Sequence, residues 1–594
     1  MHNKIKDRLA GLRKFMEEKG LHAFIIPSTD PHVSEYPATH WSARKWISGF
    51  TGSAGTVVVT REKAGLWTDS RYFLQAAEQL QGTSIDLFKD GLPVTPSIDQ
   101  WLISELGKGD YVGIDGNVYA AKDAFALTHK LNAKGLHLIS DYDPFAAIWH
   151  DRPEIPKNPI FIHPLKFAGE SCSSKIKRLV EALDDNNANA LLVSSLDTIA
   201  WIFNIRGNDV SCNPVAVAYA YISEKETVLF IDPAKLTAEI SDYLKSEGVI
   251  LADYAKVNDY VAKLQKETVV CLNSAKISFS LYNQIPQGCR VVDIPSPADL
   301  MKSIKNDAEI QGFHDAMQRD GVALVRFLMW LEKAIPQGGV TELSVIEKLA
   351  GFRNEQPLYV GDSFATIAGY GANGAIVHYT ATAESSADVK PEGFLLLDSG
   401  GQYFDGTTDI TRTIAVGKLT DQMKEDYTMV LKGHISLATA KFPQGTRGSQ
   451  LDILARKALW DKGLNYLHGT GHGIGSFLNV HEGPQSIRMD ENPTQLQPGM
   501  VTSNEPGLYR SGKYGIRIEN LVLTREDEIT EFGSFYSFET LTVCPLDTTP
   551  VVKDMLTDKE IEWLNAYHVY VYERLSPSLN EEEKEWLKEK TKTI

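Results

Sequence analysis

Gly393-Phe394-Leu395-Leu396-Leu397-Asp398-Ser399-Gly400-Gly401 runs shortly into Thr408-Asp409-Ile410-Thr411-Arg412-Thr413-Ile414-Ala415-Val416. The first segment is an apolar run that ends in an acid and a turn. The second alternates, so Asp409, Thr411 and Thr413 share one face of a strand. A hairpin turning around Tyr403 and Phe404 pairs the two as antiparallel strands. Asp398 then faces Asp409, with Cβ atoms within about 5 Å. Two buried carboxylates that close repel one another unless a proton or a cation lies between them. A metal is the natural resolution.

Further along, His468-Gly469-Thr470-Gly471-His472-Gly473-Ile474-Gly475 surrounds His472 with glycine, which lets backbone approach a ligand closely. Ser503-Asn504-Glu505-Pro506-Gly507 places an acid where proline stops a strand. Gly515-Ile516-Arg517-Ile518-Glu519-Asn520-Leu521-Val522-Leu523 reads as one apolar strand carrying Glu519, an acid too costly to bury without a partner. Arg517 lies two residues earlier, on the same face. Four carboxylates and one imidazole form a mostly oxygen-donor set. Such a set suits two divalent ions such as manganese, cobalt, iron or zinc, and is unlike a structural zinc site built from Cys and His.

The strings DSGGQYFDGTTDITRT, HGTGHGIG, LNVHEGP, SNEPGLY and IRIEN resemble the active-site motifs of aminopeptidase P, a member of the pita-bread metallopeptidase superfamily. SGFTGSAGT and WTDSRYFLQAAEQL, near the N-terminus, resemble its long, three-domain cytosolic form. The resemblance spans nearly the whole chain. It implies an α/β (α+β) fold, with two related α/β domains ahead of a pita-bread catalytic domain. It also implies two divalent ions per chain, manganese first, with cobalt or zinc as alternatives. Asp409 and Glu519 would bridge the ions, Asp398 would serve one, and His472 with Glu505 the other. His378 and His481 match substrate-binding histidines of the family, and His468 a third on the proline side. Arg71 matches an arginine thought to reach substrate from the N-terminal domain. Arg517 and Tyr509 would support the cluster and the substrate. His434, on a helix without a motif, reads as structural.

The activity so implied is release of the N-terminal residue from peptides with proline second, by a metal-bridged hydroxide. Glu505 would move the proton, with His378, His481 and His468 assisting. Prolidase, a dipeptidase with similar ligands, is the nearest rival, and a non-catalytic binding protein on the same fold is another. Methionine aminopeptidase lacks so large an N-terminal region, and creatinase-like chemistry needs no metals.

The rest of the chain frames this reading. Its 594 residues exceed one hydrophobic core. The proline-rich stretch Asp151 to Pro159 and the break at Ile294-Pro295-Ser296-Pro297 divide it into domains at 1–152, 160–296 and 304–594. Ala23-Phe24-Ile25-Ile26 parallels Ala190-Leu191-Leu192-Val193, and Leu66-Trp67-Thr68-Asp69 parallels Leu229-Phe230-Ile231-Asp232. Trp46 to Gly52 parallels Trp201 to Gly207 between them, so the first two parts read as a duplication. Asn306 to Ile335 carries a helical period interrupted at Asp320-Gly321. Asp421 to Phe442 is helical in pattern, as is Ser449 to Lys462, with Ser449 as N-cap. The net charge of -17 disfavours nucleic acid and anionic membrane as partners. Five scattered cysteines suit a reducing compartment, and no run of about 18 apolar residues exists to span a bilayer. A polar amphipathic helix, ending near Gly20, takes the place of a signal peptide. A cytoplasmic homodimer is the expected state, the dimer resting on the resemblance.

Overall fold

The polar helix expected at the start of the chain is His2–Glu18 in the computed structural model, which describes residues 2–594. Ile5, Leu9, Leu12 and Met16 are all buried, so their stripe is a core seam rather than a surface feature. Past Gly20 the chain enters the strand Ala23–Ile26, the hub of a six-stranded mixed sheet. That sheet runs, edge to edge, through Asp86–Lys89, Ala64–Thr68, Thr56–Thr60, Ala23–Ile26, Tyr111–Ile114 and His137–Ile139. A second sheet runs through Val249–Ala252, Thr227–Ile231, Ala218–Ser223, Ala190–Val193, Val269–Leu272 and Arg290–Asp293.

The two sheets share more than strand number. In each, the hub strand pairs antiparallel on one side and parallel on the other. The next rung outward is antiparallel and both edge strands are parallel. Ala23–Ile26 and Ala190–Val193 occupy the same place, as do Leu66-Trp67 and Leu229-Phe230. The duplication read from the matched blocks is thus repeated in topology. One compact unit, running to His163 and taking in Glu170–Ala298, holds both sheets. Within it, Ala121 N–H donates to Ile277 O at 2.9 Å, and His32 Nδ1 lies 2.9 Å from Ser194 O.

The second unit, Pro164–Gly169 with Asp299–Ile594, opens on the helix Asp307–Ala334. Asn306 and Glu309 cap its N-terminus reciprocally. The helix runs unbroken through Asp320-Gly321, where its apolar period is interrupted. Asp320 turns inward to take both a fork from Arg353 and the Tyr403 hydroxyl. Gly321 is there because a Cβ would meet Val543 O at 2.3 Å. The interruption in apolar period therefore marks a buried ion pair and a close backbone crossing, not a helix end.

Two other helices differ from the sequence reading at their ends. One spans Asp421–Ala438, with Phe442 already in the short strand Lys441–Pro443. The other spans Gly448–Trp460 with Arg447 as N-cap, so Ser449 sits inside the first turn. Before and after these helices lie the strands that carry the site. Phe394–Ser399 is the middle strand of three, flanked by Ile367–Tyr370 and Ile410–Ala415. A six-stranded sheet runs through Lys441–Pro443, Gly533–Thr540, Asn520–Thr530, Val501–Asn504, Gly471–Gly473 and Glu482–Ile487. The helices Asp558–Leu575 and Glu581–Lys590 close the chain, the latter held by Arg326 Nε to Glu583 Oε1 at 2.9 Å.

Candidate metal centre

Strand ends build the site. Phe394–Ser399 carries Asp398 in its last turn of pairing, and its antiparallel partner begins at Ile410, just after Asp409. The register sets Asp398 against Thr411, not against Asp409 as a simple hairpin predicts. The intervening residues pair among themselves, Gln402 with Thr407 and Tyr403 with Gly406, so the tip lies at Phe404-Asp405. Asp409 is consequently the diagonal neighbour of Asp398, still within reach on the same face. Burial first, and then the Asp398 charge, push the Asp409 carboxyl well above its ordinary range.

The remaining donors come from the six-stranded sheet. Asn504 pairs with Asn520 as the last rung between two of its strands. Glu505 follows that rung on one strand and Glu519 precedes it on the other, so both leave the ladder at the same end. The single strand expected over Gly515 to Leu523 is in fact two. Tyr514–Arg517 pairs with Gly507–Arg510, and Asn520–Thr530 joins the larger sheet, with Ile518-Glu519 as the crossing. At that crossing Glu519 N–H donates to Thr411 O at 3.1 Å, and the Thr411 hydroxyl donates to Glu519 Oε2 at 2.7 Å. His472 lies in Gly471–Gly473, beside the strand that ends at Asn504. Gly471 is required by that approach, because a Cβ would lie 2.0 Å from Ser503 O.

One ligand atom each from Asp409, His472 and Glu519 lie within 4.8 Å of one another. His472 Nδ1 lies 3.0 Å from Gly473 O, so Nδ1 carries the proton. Nε2 then turns its lone pair toward Asp409 Oδ2 and Glu505 Oε1, each 3.5 Å away. An acceptor facing two acceptors at that distance is a site for a cation. The carboxylates say the same. Burial, followed by the Asp409, Glu505 and Asp398 charges, pushes Glu519 well above its ordinary range. Glu505 is pushed up to about 7 by burial and the Asp398 charge, against the opposing pull of Arg517. Asp398 Oδ1 is buried and has no hydrogen-bond partner. These observations fit a dinuclear, oxygen-rich metal site.

Arg517 supports the cluster through Asp398. Its guanidinium goes to Asp398 Oδ2 at 2.6 Å and to the Tyr509 hydroxyl at 2.7 Å, rather than to Glu519. His468 Nδ1 lies 2.8 Å from Gly469 O, which leaves Nε2 to accept from the Tyr509 hydroxyl at 2.9 Å. A chain of hydrogen bonds thus runs His468, Tyr509, Arg517, Asp398. His481 packs edge-on to His472, ring centroids 4.4 Å apart. His378 follows Val377, whose carbonyl lies 3.4 Å from Arg517 Nη2. Both histidines are half-buried. Arg71 stands in the first unit, forked onto Asp69 at 2.7 and 2.8 Å.

Two supporting groups were not singled out by sequence reasoning. The Ser503 hydroxyl accepts from His472 N–H at 3.0 Å and donates to Glu505 Oε1 at 3.2 Å. Thr411 holds Glu519, as above. The signal for Thr411 was its shared face with Asp409; nothing marks Ser503 beyond its place in the acid's own string.

Profiles of the creatinase/prolidase N-terminal domain match residues 8–141 and again 151–309. That of metallopeptidase family M24 matches 311–526, and that of the C-terminal region of the same peptidases matches 534–594. Aminopeptidase P2 of Arabidopsis thaliana is 41% identical over 99% of this chain and 89% of its own. The structure of X-prolyl aminopeptidase from Caenorhabditis elegans, described as a cytosolic enzyme with a di-nuclear active site, matches with a TM-score of 0.95. Its identity is 36%, and each chain is covered completely. The Xaa-Pro dipeptidase of Bacillus anthracis matches with a TM-score of 0.51 and 26% identity, covering 99% of its own chain but 64% of this one.

Proposed function

The chain belongs to the aminopeptidase P family of M24 metallopeptidases, and from that premise we propose that it releases the N-terminal residue from peptides with proline in second position. The observation that carries this reading is the meeting of Asp398, Asp409, His472, Glu505 and Glu519 at adjoining strand ends, in a chain that matches aminopeptidases from end to end. The dipeptidase match leaves over a third of the chain unaccounted for, which favours the aminopeptidase over prolidase.

In this reading Asp398, Asp409, His472, Glu505 and Glu519 hold two divalent ions, manganese before cobalt or zinc. When bound, such ions acidify water and polarise a carbonyl. Glu505 would accept the proton and return it to the leaving proline nitrogen. His481, whose ring packs against that of His472, and His378, the residue after Val377, would hold the developing oxyanion and the peptide backbone. The chain from His468 through Tyr509 and Arg517 fixes the orientation of Asp398. A proline nitrogen in peptide linkage has no N–H, so shape rather than hydrogen bonding selects it. Arg71 is kept as a substrate-binding candidate. A cytoplasmic homodimer remains the proposed state. No described helix is long and apolar enough to cross a membrane.

The test is hydrolysis of Xaa-Pro-Yaa tripeptides and Xaa-Pro dipeptides after chelation and restoration with manganese, cobalt or zinc. Cleavage of the tripeptide is expected to vanish on chelation and return best with manganese. Cleavage confined to the dipeptide would instead establish a prolidase, and no turnover with any ion would point to a binding protein.

A further inference from the structure

Arg412 is buried, and its hydrogen bonds go to the backbone and neighbours of Glu519 rather than to the five donor side chains. Every arm of its guanidinium is engaged. Nε donates to Pro545 O at 3.0 Å. Nη1 donates to Thr411 O at 3.0 Å and to Glu519 O at 2.7 Å. Nη2 donates to Asn520 Oδ1 at 2.9 Å, Cys544 O at 2.8 Å and the Tyr567 hydroxyl at 3.1 Å. Three of these acceptors, in Cys544, Pro545 and Tyr567, belong to the C-terminal region. The others belong to the two segments that cross at Glu519.

The lattice continues past Arg412. Asn520 Nδ2 lies 3.2 Å from His434 Nε2, and His434 Nδ1 lies 3.1 Å from Asn504 O. Asn504 Nδ2 donates back to His434 O at 2.9 Å. Asn504 and Asn520 are the rung from which Glu505 and Glu519 depart. The backbone of Glu519 is therefore held directly, and that of Asn504, the residue before Glu505, through His434.

A buried guanidinium is costly, and a carbon side chain of similar size would fill the space. What the planar fork adds is a fixed spacing between carbonyls of separate segments. Carboxylates that repel one another relax apart unless their backbone is held. We propose that Arg412 is a positioning residue of the metal centre: braced by the C-terminal region, it sets Glu519 directly, and Glu505 through Asn520 and His434, in a metal-ready geometry. This rests on the reading of Glu505 and Glu519 as metal ligands.

The experiment uses the full-length chain, stripped by chelator and titrated with manganese(II) by calorimetry, in the parent, Arg412→Lys and Tyr567→Phe. Lysine keeps the charge and loses the fork. Loss of support behind a ligand typically weakens metal affinity about 10–100-fold, and R412K is expected in that range. Tyr567→Phe removes the hydroxyl that accepts from Arg412 Nη2 and donates to Cys544 O, and about a five-fold weakening is expected. In both variants kcat at saturating manganese should fall while KM for a Xaa-Pro-Yaa peptide holds. A lowered unfolding temperature with parental manganese affinity in both would overturn the proposal, because that is the signature of a merely structural arginine. If R412K does not fold by circular dichroism, Tyr567→Phe decides alone, and parental affinity there overturns it. A parent that takes up no manganese or other divalent ion removes the metal reading itself, and this inference with it.

Discussion

Glu505 shows how a single residue can be both liability and instrument. Its carboxyl sits in a buried pocket among three other acids, and burial with the Asp398 charge lifts it to about 7. In protein stripped of metal, the folded state therefore binds a proton that the unfolded state has already released, over the window from about pH 4.5 to about 7. Stability contributed by this group is present below the unfolded pKa and is lost as pH rises through the folded one. Buried neutral histidines such as His434, lowered to about 3 by burial and Arg412, act in the opposite direction over an overlapping range. Glu505→Gln separates the two, since it removes only the carboxyl. Urea midpoints of the stripped proteins at pH 5 and 7.5 should show the variant gaining on the parent as pH rises. A difference independent of pH would mean that Glu505 is not held in the protonated state by its surroundings. The same variant should lose about 10²–10⁴-fold in kcat when loaded with metal, the range for a lost acid–base group.

At the scale of elements, the site depends on where strands stop. The acids were legible as acids at the ends of apolar runs, because a carboxylate in a buried strand has few other reasons to be there. Their exact opposition was not legible. The residues between Gly400 and Thr408 pair internally, which shifts Asp409 to the diagonal of Asp398, and sequence alone carries no register for such an insertion. The split between Arg517 and Asn520 escaped for a related reason: one apolar run serves two sheets, and periodicity does not say which partner each half will find. The interruption at Asp320-Gly321 was legible as a break in apolar period, but not its cause, a buried acid met by Arg353 and Tyr403. The glycines around His472 were read as letting backbone approach a ligand; at Gly471 the close approach is to the neighbouring strand, with a sharp consequence. Gly471→Ala would drive a Cβ into Ser503 O at 2.0 Å, so the strand must move away from the one leading to Glu505. Overpacking of this kind costs about 1–3 kcal/mol. The variant is expected to unfold at a lower temperature and to bind manganese at least about ten-fold more weakly, as a displaced ligand should. Parental affinity in a folded G471A protein would show that the strand has slack that the structure does not suggest.

The whole molecule is two compact units with unlike sheets: one a duplicated six-stranded design, the other the strand-end metal centre with its C-terminal brace. The duplication was legible because hub strands, buried on both faces, must be apolar in both copies, and the blocks around them kept order. The brace was not, since Arg412 reads as one more polar residue of an alternating strand and Tyr567 as one more aromatic of a helix. Only the fold brings them together. All five proposed metal ligands lie in the unit that takes in Asp299–Ile594, so the linkage of metal binding to stability should belong to that unit. A ligand that binds only the folded form stabilises it by RT ln(1 + [L]/Kd), about 2.7 kcal/mol at a hundred-fold excess over Kd. Scanning calorimetry of the stripped chain with increasing manganese should therefore move the transition carrying the C-terminal unit upward. The transition carrying the duplicated sheets should stay in place, apart from any coupling between the two. Limited proteolysis read by mass spectrometry assigns each transition to its residues. An upward shift confined to fragments before Ala298 would place the metal elsewhere in the chain, and would contradict the assignment of Asp398, Asp409, His472, Glu505 and Glu519 at its root.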